Sequence, residues 1–138
     1  MPEAGPKIGQ APHVGFLEAW GVVIESYDDD QATLSMPIQE SMLNPNGTLH
    51  GAVAYALADT GMGLAAYRTV QAGQGTATVE MKINYVRPAT EGRISAACRV
   101  LHRGRTLILT SAEVRNEAGH LIASATATYF IIDVAGSG

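Results

Sequence analysis

The chain has 138 residues, of which 16% are charged and 46% hydrophobic, and its formal net charge is −4. This length predicts one domain with a core large enough to fold without a disulfide or metal staple. The acidic balance and the lack of a Lys/Arg run argue against a nucleic-acid partner. So little charge also predicts that part of the surface is buried against a second copy of the chain.

Cysteine content and hydropathy indicate the compartment. The single cysteine, Cys98, excludes an internal disulfide and is typical of a reducing compartment, and its apolar surroundings predict a small buried hydrophobe. No apolar run reaches the ~18 residues of a membrane span. The first ten residues lack the apolar segment of a signal peptide. We therefore expect a cytoplasmic protein that contacts no membrane.

The N-terminal third predicts a flexible arm, a short helix and a hairpin. Residues 1–12 are rich in Pro and Gly and form the arm, and Phe16–Trp20 form a short helix that packs its aromatic side chains on the body. Alternating β-type residues then predict strands over 21–27 and 32–36, joined by a turn at Asp28–Asp30.

One long helix is predicted over 49–68, after a loop at 39–48 that is rich in Asn, Ser, Gly and Pro. Its alanines favour helix, and apolar residues around most of its circumference predict that it is buried. Gly61 and Gly63 weaken the helix and indicate close packing against another backbone.

The C-terminal half predicts four strands joined by short links, which indicates an antiparallel meander. The strands are predicted over residues 76–87, 93–102, 106–116 and 120–132. The sum is an α+β layout, an antiparallel sheet wrapped around one long central helix. This domain is predicted to span 13–134, with 135–138 as a flexible tail. A helix that is apolar all round needs cover on two sides, and a second subunit would supply the side that the sheet leaves open.

The stretch from Asn44 to Asp59 carries the candidate chemistry. A polar turn precedes the helix, so the Gly51 N–H lies in the first helical turn, where amides lack helical partners and the dipole adds partial positive charge. A carbonyl oxygen at that point would be polarised as in an oxyanion hole. Gly51 has no Cβ, so a substrate can approach its amide closely, and Asn44 can donate its side-chain amide to the same region.

Asp59 is a carboxylate among small apolar residues of the predicted helix, a costly setting unless the group is paired or used. It follows Gly51 by eight residues, which is about 12 Å along a helix. Reacting groups approach to ~3 Å, so the two residues of one chain cannot flank one carbonyl. An antiparallel helix from a two-fold-related copy would bring Asp59 of one chain beside Gly51 of the other.

The segment Asn44–Gly51 (NPNGTLHG), followed by Leu57–Asp59, resembles the signature of hotdog-fold acyl-CoA thioesterases, specifically the phenylacetate-pathway (PaaI-type) group. The strand Thr78–Ala89 and the turn Arg103–Thr106 extend the resemblance over nearly the whole chain. It implies a hotdog fold, hydrolysis of an aryl- or medium-chain acyl-CoA, and a homodimer that pairs into a homotetramer. Thioester hydrolysis by a carboxylate needs neither a metal nor a cofactor.

The resemblance also implies roles for single residues. Asp59 would be the nucleophile or general base, and the Gly51 N–H would polarise the thioester carbonyl, with Asn44 nearby. Thr78 matches a position where a hydroxyl stands beside the carboxylate and orients water, and His50 matches the motif histidine that shapes the site. The expected substrate-binding residues lie in the motif loop, the acyl chamber and a turn near the CoA phosphates: Gly47, Leu57, Met62, Met81, Arg103 and Arg105.

Other interpretations stay open at this stage. Asp59 fits a structural carboxylate capped by a hydroxyl such as that of Thr60, and Thr78 fits a plain strand residue. Arg103 and Arg105 fit either phosphate ligands or solvated turn charges. Two other classes of function share this fold: a non-catalytic acyl-CoA-binding module, and a hydratase or dehydratase, which needs a His–Asp or His–Glu pair.

Overall fold

A computed structural model describes residues 15–134, apart from the side chain of Phe16. The chain forms a short helix α1 (Gly15–Ala19), a 3-10 turn (Glu40–Met42), a long helix α2 (Gly51–Tyr67) and six strands. The strands are β1 (Val23–Asp28), β2 (Gln31–Pro37), β3 (Gln74–Tyr85), β4 (Arg93–Arg103), β5 (Leu107–Asn116) and β6 (Leu121–Asp133). The arm at 1–12 and the tail at 135–138, both predicted from the sequence, lie outside the described residues.

The six strands form one antiparallel sheet in the order β1-β2-β4-β5-β6-β3, and α2 contacts all six of them. Leu57, Ala58 and Met62 on α2 are fully buried between the helix and the sheet. Removal of this apolar surface from water is the main force that holds α2 to the sheet. The predicted hotdog architecture, an antiparallel sheet wrapped around one central helix, is therefore confirmed.

The prediction of a continuous meander is wrong for β3. Strands β4, β5 and β6 pair in sequence order, but β3 pairs with β6 at the edge of the sheet, so β5 and β6 separate it from β4. Three strand spacings are about 14 Å. Residues 86–92, named here the crossover segment, bridge this gap because an extended chain reaches ~3.3–3.6 Å per residue.

The crossover segment runs past the N-terminal end of α2. The Leu49 N–H donates to the Ala89 carbonyl at 2.7 Å, and the Ile38 N–H donates to the Gly92 carbonyl at 2.8 Å. These bonds attach the segment to the loop before α2 and to the end of β2. The crossover segment therefore covers the first turn of α2.

Gly61 and Gly63 of α2 allow close contact with side chains, not with another backbone as the sequence predicted. A Cβ built on Gly61 would lie 2.5 Å from the Cys98 Sγ, and one on Gly63 would lie 3.5 Å from the Tyr129 ring. The prediction that Cys98 is a buried hydrophobe is confirmed, because its side chain is enclosed and its Sγ lies 3.9 Å from the Ala58 carbonyl. This burial raises the pKa of the thiol to about 12.

Strand β3 forms one edge of the sheet, and its outer edge has no strand partner among residues 15–134. Val79 and Tyr85 on this strand are more than half exposed.

In the N-terminal part of the described chain, Leu17 of α1 is buried and Trp20 packs on the core, as the sequence predicts for this short helix. No helix within the described range is long and apolar enough to cross a membrane.

Candidate active site

The start of α2 presents a backbone amide that has no hydrogen-bond partner in the described part of the chain. His50 is the N-cap residue, with φ −61 and ψ 132, and its Nδ1 accepts a hydrogen bond from the Ala52 N–H at 3.0 Å. Because Nδ1 accepts, the neutral imidazole carries its proton on Nε2. Within residues 15–134, no hydrogen-bond acceptor is found for the Gly51 N–H. The amide therefore keeps the donor capacity and the helix-dipole charge that an oxyanion site requires.

The loop before α2 is held by its own polar groups. The Asn44 Oδ1 accepts from the N–H groups of Asn46 at 2.9 Å and Thr48 at 3.2 Å, and its Nδ2 donates to the Thr48 Oγ1 at 2.8 Å. Gly47 adopts a left-handed φ of 79, and its N–H donates to the Asn44 carbonyl at 2.9 Å. These contacts are those of turn residues. Direct contact of Asn44 or Gly47 with substrate stays a prediction.

A cavity of about 310 Å³ opens at the first turn of α2. Its walls come from His50, Gly51 and Ala54 on one side, and from Tyr85 with the first part of the crossover segment on the other. The Tyr85 hydroxyl donates to the Gly51 carbonyl at 2.7 Å, and its ring lies so close that a Cβ on Gly51 would come within 3.0 Å of Cζ. Because the predicted meander placed β3 beside β4, the sequence did not predict that the crossover segment lines this cavity.

Asp59 lies eight residues further along α2 and is half-buried. Its Oδ1 accepts hydrogen bonds from the Thr78 hydroxyl at 3.1 Å and from the Tyr129 hydroxyl at 2.6 Å. The hydroxyl of Thr60, considered as a cap from the sequence, makes neither contact. The structure places Thr78 beside the carboxylate, and its role in orienting water stays a prediction.

A β-bulge explains why two hydroxyls reach one carboxylate oxygen. Thr78 on β3 lies directly opposite Tyr129 on β6, while Glu80 lies opposite Thr128, so Val79 is an extra residue in β3. Side chains alternate along a strand, and the extra residue lets Thr78 face the helix while Glu80 faces away. On that other face, the Thr128 hydroxyl donates to the Glu80 Oε1 at 3.1 Å.

Tyr129 is buried and stays protonated. Burial raises its pKa far above the ordinary tyrosine value, and the hydrogen bond to Asp59 and the charge of that carboxylate act in the same direction. Neither Tyr85 nor Tyr129 was predicted from the sequence as a residue of the site. A signal existed for Tyr129, because Ala123, Ala125 and Ala127 precede it at alternate buried positions of β6, and a buried tyrosine that follows three alanines needs a partner for its hydroxyl.

The other predicted substrate-binding residues lie elsewhere. Leu57 and Met62 are enclosed in the core, and Met81 is partly buried against it. The exposed Arg103 donates to the carbonyl of Gly104 at 2.7 Å and to that of Thr69 at 3.4 Å, and Arg105 is exposed. None of these side chains lines the cavity at Gly51. Their contacts with substrate stay predictions.

Within one chain, the Gly51 amide and the Asp59 carboxylate form two separate half-sites. Both residues lie on α2, and their spacing of about 12 Å is too long for both to touch one reacting atom. Each half-site nevertheless contacts β3, through Tyr85 at one end and Thr78 toward the other. The β3 edge of the sheet therefore runs beside both half-sites.

This architecture, with a carboxylate inside the central helix and an open amide at its start, defines a hotdog-fold thioester hydrolase. The sequence model of the thioesterase superfamily matches residues 46–123, a range that holds Gly51, Asp59 and Thr78. The chain belongs to the thioesterase superfamily, whose hotdog members hydrolyse acyl-CoA thioesters.

Individual relatives support the same class. The chain is 32% identical over 130 residues to 1,4-dihydroxy-2-naphthoyl-CoA hydrolase of Escherichia coli (strain K12), which covers 94% of this chain and 93% of the relative. A thioesterase structure from Haemophilus influenzae superposes with a TM-score of 0.82 at 25% identity, covering 87% and 84% of the two chains. The E. coli PaaI protein superposes with a TM-score of 0.83 at 24% identity, covering 88% and 87%, which supports the fold alone.

Proposed function

We propose that this enzyme hydrolyses the thioester of an aryl- or medium-chain acyl-CoA to the free acid and CoA, with Asp59 as the reacting carboxylate. The observation that carries the proposal is the asymmetry of this carboxylate. Oδ1 accepts two hydroxyl hydrogen bonds, whereas no hydrogen-bond partner for Oδ2 is found in the described part of the chain. A fixed carboxylate with one free oxygen suits a nucleophile or a general base.

The reaction balances by either of two routes. As a general base, Oδ2 takes a proton from water while the water oxygen attacks the thioester carbonyl carbon. As a nucleophile, Oδ2 attacks that carbon itself, and water then hydrolyses the mixed anhydride. In both routes the Gly51 N–H stabilises the oxyanion, the C–S bond breaks, and the CoA thiolate leaves and is protonated. Neither route requires a metal or a cofactor.

A homodimer that pairs along β3 is part of the proposal. Tyr85 contacts Gly51, and Thr78 contacts Asp59, so α2 runs antiparallel to β3 beside it. If two copies paired their β3 edges antiparallel about a two-fold axis, Asp59 of each chain would approach Gly51 of the other. Each dimer would then hold two complete sites. Association of two such dimers into a tetramer rests on the family resemblance.

The acyl group is proposed to be aromatic in preference to aliphatic. The cavity wall beside Gly51 carries the half-exposed ring of Tyr85, which offers a stacking surface to an aryl group. The E. coli relative named above acts, by its name, on an aryl-CoA. Phenylacetate degradation and a cytoplasmic location complete the proposal, the latter supported by the unpaired Cys98.

The test combines a substrate panel with an Asp59→Asn variant. CoA release is followed with phenylacetyl-CoA, 1,4-dihydroxy-2-naphthoyl-CoA and hexanoyl-CoA. We expect Asp59→Asn to lower kcat by about 100-fold or more, because the neutral carboxamide of asparagine replaces the basic carboxylate. Asp28→Asn, a change at an exposed aspartate on β1, is the matched control and should leave kcat intact. Near-normal turnover by Asp59→Asn would disprove the mechanism.

A mixing arm of the same experiment tests the shared site. Asp59→Asn is unfolded and refolded together with an equal amount of Gly51→Pro, a variant that lacks the amide hydrogen at position 51. Half of the resulting dimers are mixed, and each mixed dimer holds one intact site, so about a quarter of wild-type activity should return. Activity no greater than the sum of the separate variants would show that the two residues act within one chain.

A further inference from the structure

The proposed role of Asp59 requires a carboxylate that keeps one orientation. We propose that Tyr129 is the positioning residue that holds Asp59 Oδ1 against the sheet and thereby presents Oδ2 to the substrate. This inference rests on the proposed function. It assigns to β6 a residue that the motif around Gly51 and Asp59 does not contain.

The contact between Tyr129 and Asp59 is short and is built on a rigid support. Its 2.6 Å length is typical of a hydroxyl that donates to an ionised carboxylate. Tyr129 is only 2% exposed, its ring lies against Gly63, and its backbone is paired with Ile108 of β5 as well as with Thr78. The exposed Thr78 makes the longer bond, from an edge strand. Tyr129 is therefore the stiffer of the two supports.

The Tyr129 hydroxyl can follow the charge of Asp59 through a catalytic cycle. It has one hydrogen but two acceptors in reach, Oδ1 at 2.6 Å and the backbone carbonyl of Asp59 at 2.8 Å. While the carboxylate is charged, donation to Oδ1 is favoured. When Oδ2 has taken a proton or formed an anhydride, the hydroxyl can turn to the carbonyl. A buried hydroxyl then keeps a partner in every state.

Few other groups act on this pair. Asp59 forms no ion pair with any side chain that the structure describes. The titratable group that faces Tyr129 from β4 is Cys98, and burial keeps its thiol neutral. Hydroxyl groups, not cations, therefore stabilise the charged carboxylate, so removal of one hydroxyl should be visible in the pH dependence of catalysis.

The test is Tyr129→Phe, which removes the hydroxyl and keeps the ring on Gly63. We expect kcat to fall roughly 10- to 100-fold as the carboxylate loses its fixed orientation, with KM changed less than about threefold. The acid limb of the pH–kcat profile should move to higher pH, because the charged form loses a hydrogen bond. In the Asp59→Asn background, the same substitution should cause no further loss.

Tyr27→Phe is the matched control, since Tyr27 is 1% exposed and its hydroxyl has no hydrogen-bond partner in the described structure. A lower Tm for Tyr129→Phe with kcat and the acid limb unchanged would overturn the proposal and leave Tyr129 a purely structural residue. An active Asp59→Asn would instead overturn the proposed function. If Tyr129→Phe does not fold, 3-fluorotyrosine at this position, a stronger donor, must move the acid limb to lower pH, and an unmoved limb would refute the proposal.

Discussion

Replacement of Gly51 by proline removes the amide hydrogen at the start of α2 and adds a ring that approaches Tyr85. His50, the preceding residue, already has φ −61 and ψ 132, the extended region that a residue before proline adopts. Proline is also favoured at the first position of a helix, where its fixed φ suits helical geometry. The Gly51 N–H has no acceptor in the described chain, so the fold loses no hydrogen bond. Compared with Gly51→Ala, which adds a Cβ but keeps the N–H, the proline variant therefore isolates the proposed oxyanion donor.

The expected loss of kcat in Gly51→Pro has an electronic part and a steric part. Removal of one oxyanion donor typically lowers kcat by about 10²–10³, or roughly 3–4 kcal/mol. A Cβ at Gly51 would lie 3.0 Å from Cζ and Oη of Tyr85, so crowding contributes as well. Gly51→Ala adds the same Cβ but keeps the N–H. Because Tyr85 is 54% exposed and can shift, we expect Gly51→Ala to lose no more than about tenfold, or ~1.4 kcal/mol.

The assay compares kcat and Tm of Gly51→Pro, Gly51→Ala and the wild type with one aryl-CoA. The proline variant should keep or raise the Tm, because a compatible proline restricts the unfolded chain and stabilises by about 0.4–1 kcal/mol. Its kcat should fall at least tenfold below that of the alanine variant. If the two variants agree within about threefold, the Gly51 N–H does not stabilise the transition state.

Two further predictions concern the packing of α2 on β4. Gly61→Ala would place a Cβ 2.5 Å from the Cys98 Sγ and 3.3 Å from the Leu34 Cδ1, so urea denaturation should show a loss of about 1–3 kcal/mol despite better helix propensity. Adding Cys98→Ala should recover part of this loss, and strictly additive effects would contradict the contact. Burial raises the Cys98 pKa to about 12, so at pH 8 the native thiol should resist thiol reagents until the protein unfolds, and rapid stoichiometric labelling would contradict this.

Local sequence determined much of the fold. Alanine-rich sequence with apolar residues on most faces predicted a helix at 49–68, and the helix spans Gly51–Tyr67. Alternation predicted all six strands to within a few residues at each end. Gly61 and Gly63 marked close approach, but the sequence could not show what approaches. The partners are side chains from β4 and β6, and those contacts depend on the completed sheet.

The order of the strands could not be predicted in the same way. The predicted link at 88–92 is short enough for a hairpin and, when extended, long enough for a crossover, so its length does not decide between them. The choice depends on which arrangement covers α2, and that is a property of the whole sheet. The candidate site likewise contains one part that forms through local contacts and one part that depends on the completed sheet. The loop from Asn44 to Gly51 folds through its own hydrogen bonds, whereas Tyr129 reaches Asp59 across 70 positions of sequence.

The irregular positions of β3 connect the fold with the chemistry. The bulge at Val79 turns Thr78 toward Asp59, and the end of the strand at Tyr85 leads into the crossover segment that walls the Gly51 cavity. A regular hairpin from β3 to β4 would supply no such wall, and a strand without the bulge would turn Thr78 and Glu80 to the same face. One half-site thus depends on the bulge within β3, and the other depends on the crossover segment that follows the strand. Because β3 is also one of the two edge strands of the sheet, pairing of two copies there would complete both sites in one step, and loss of that pairing should abolish activity without unfolding the helix or the sheet.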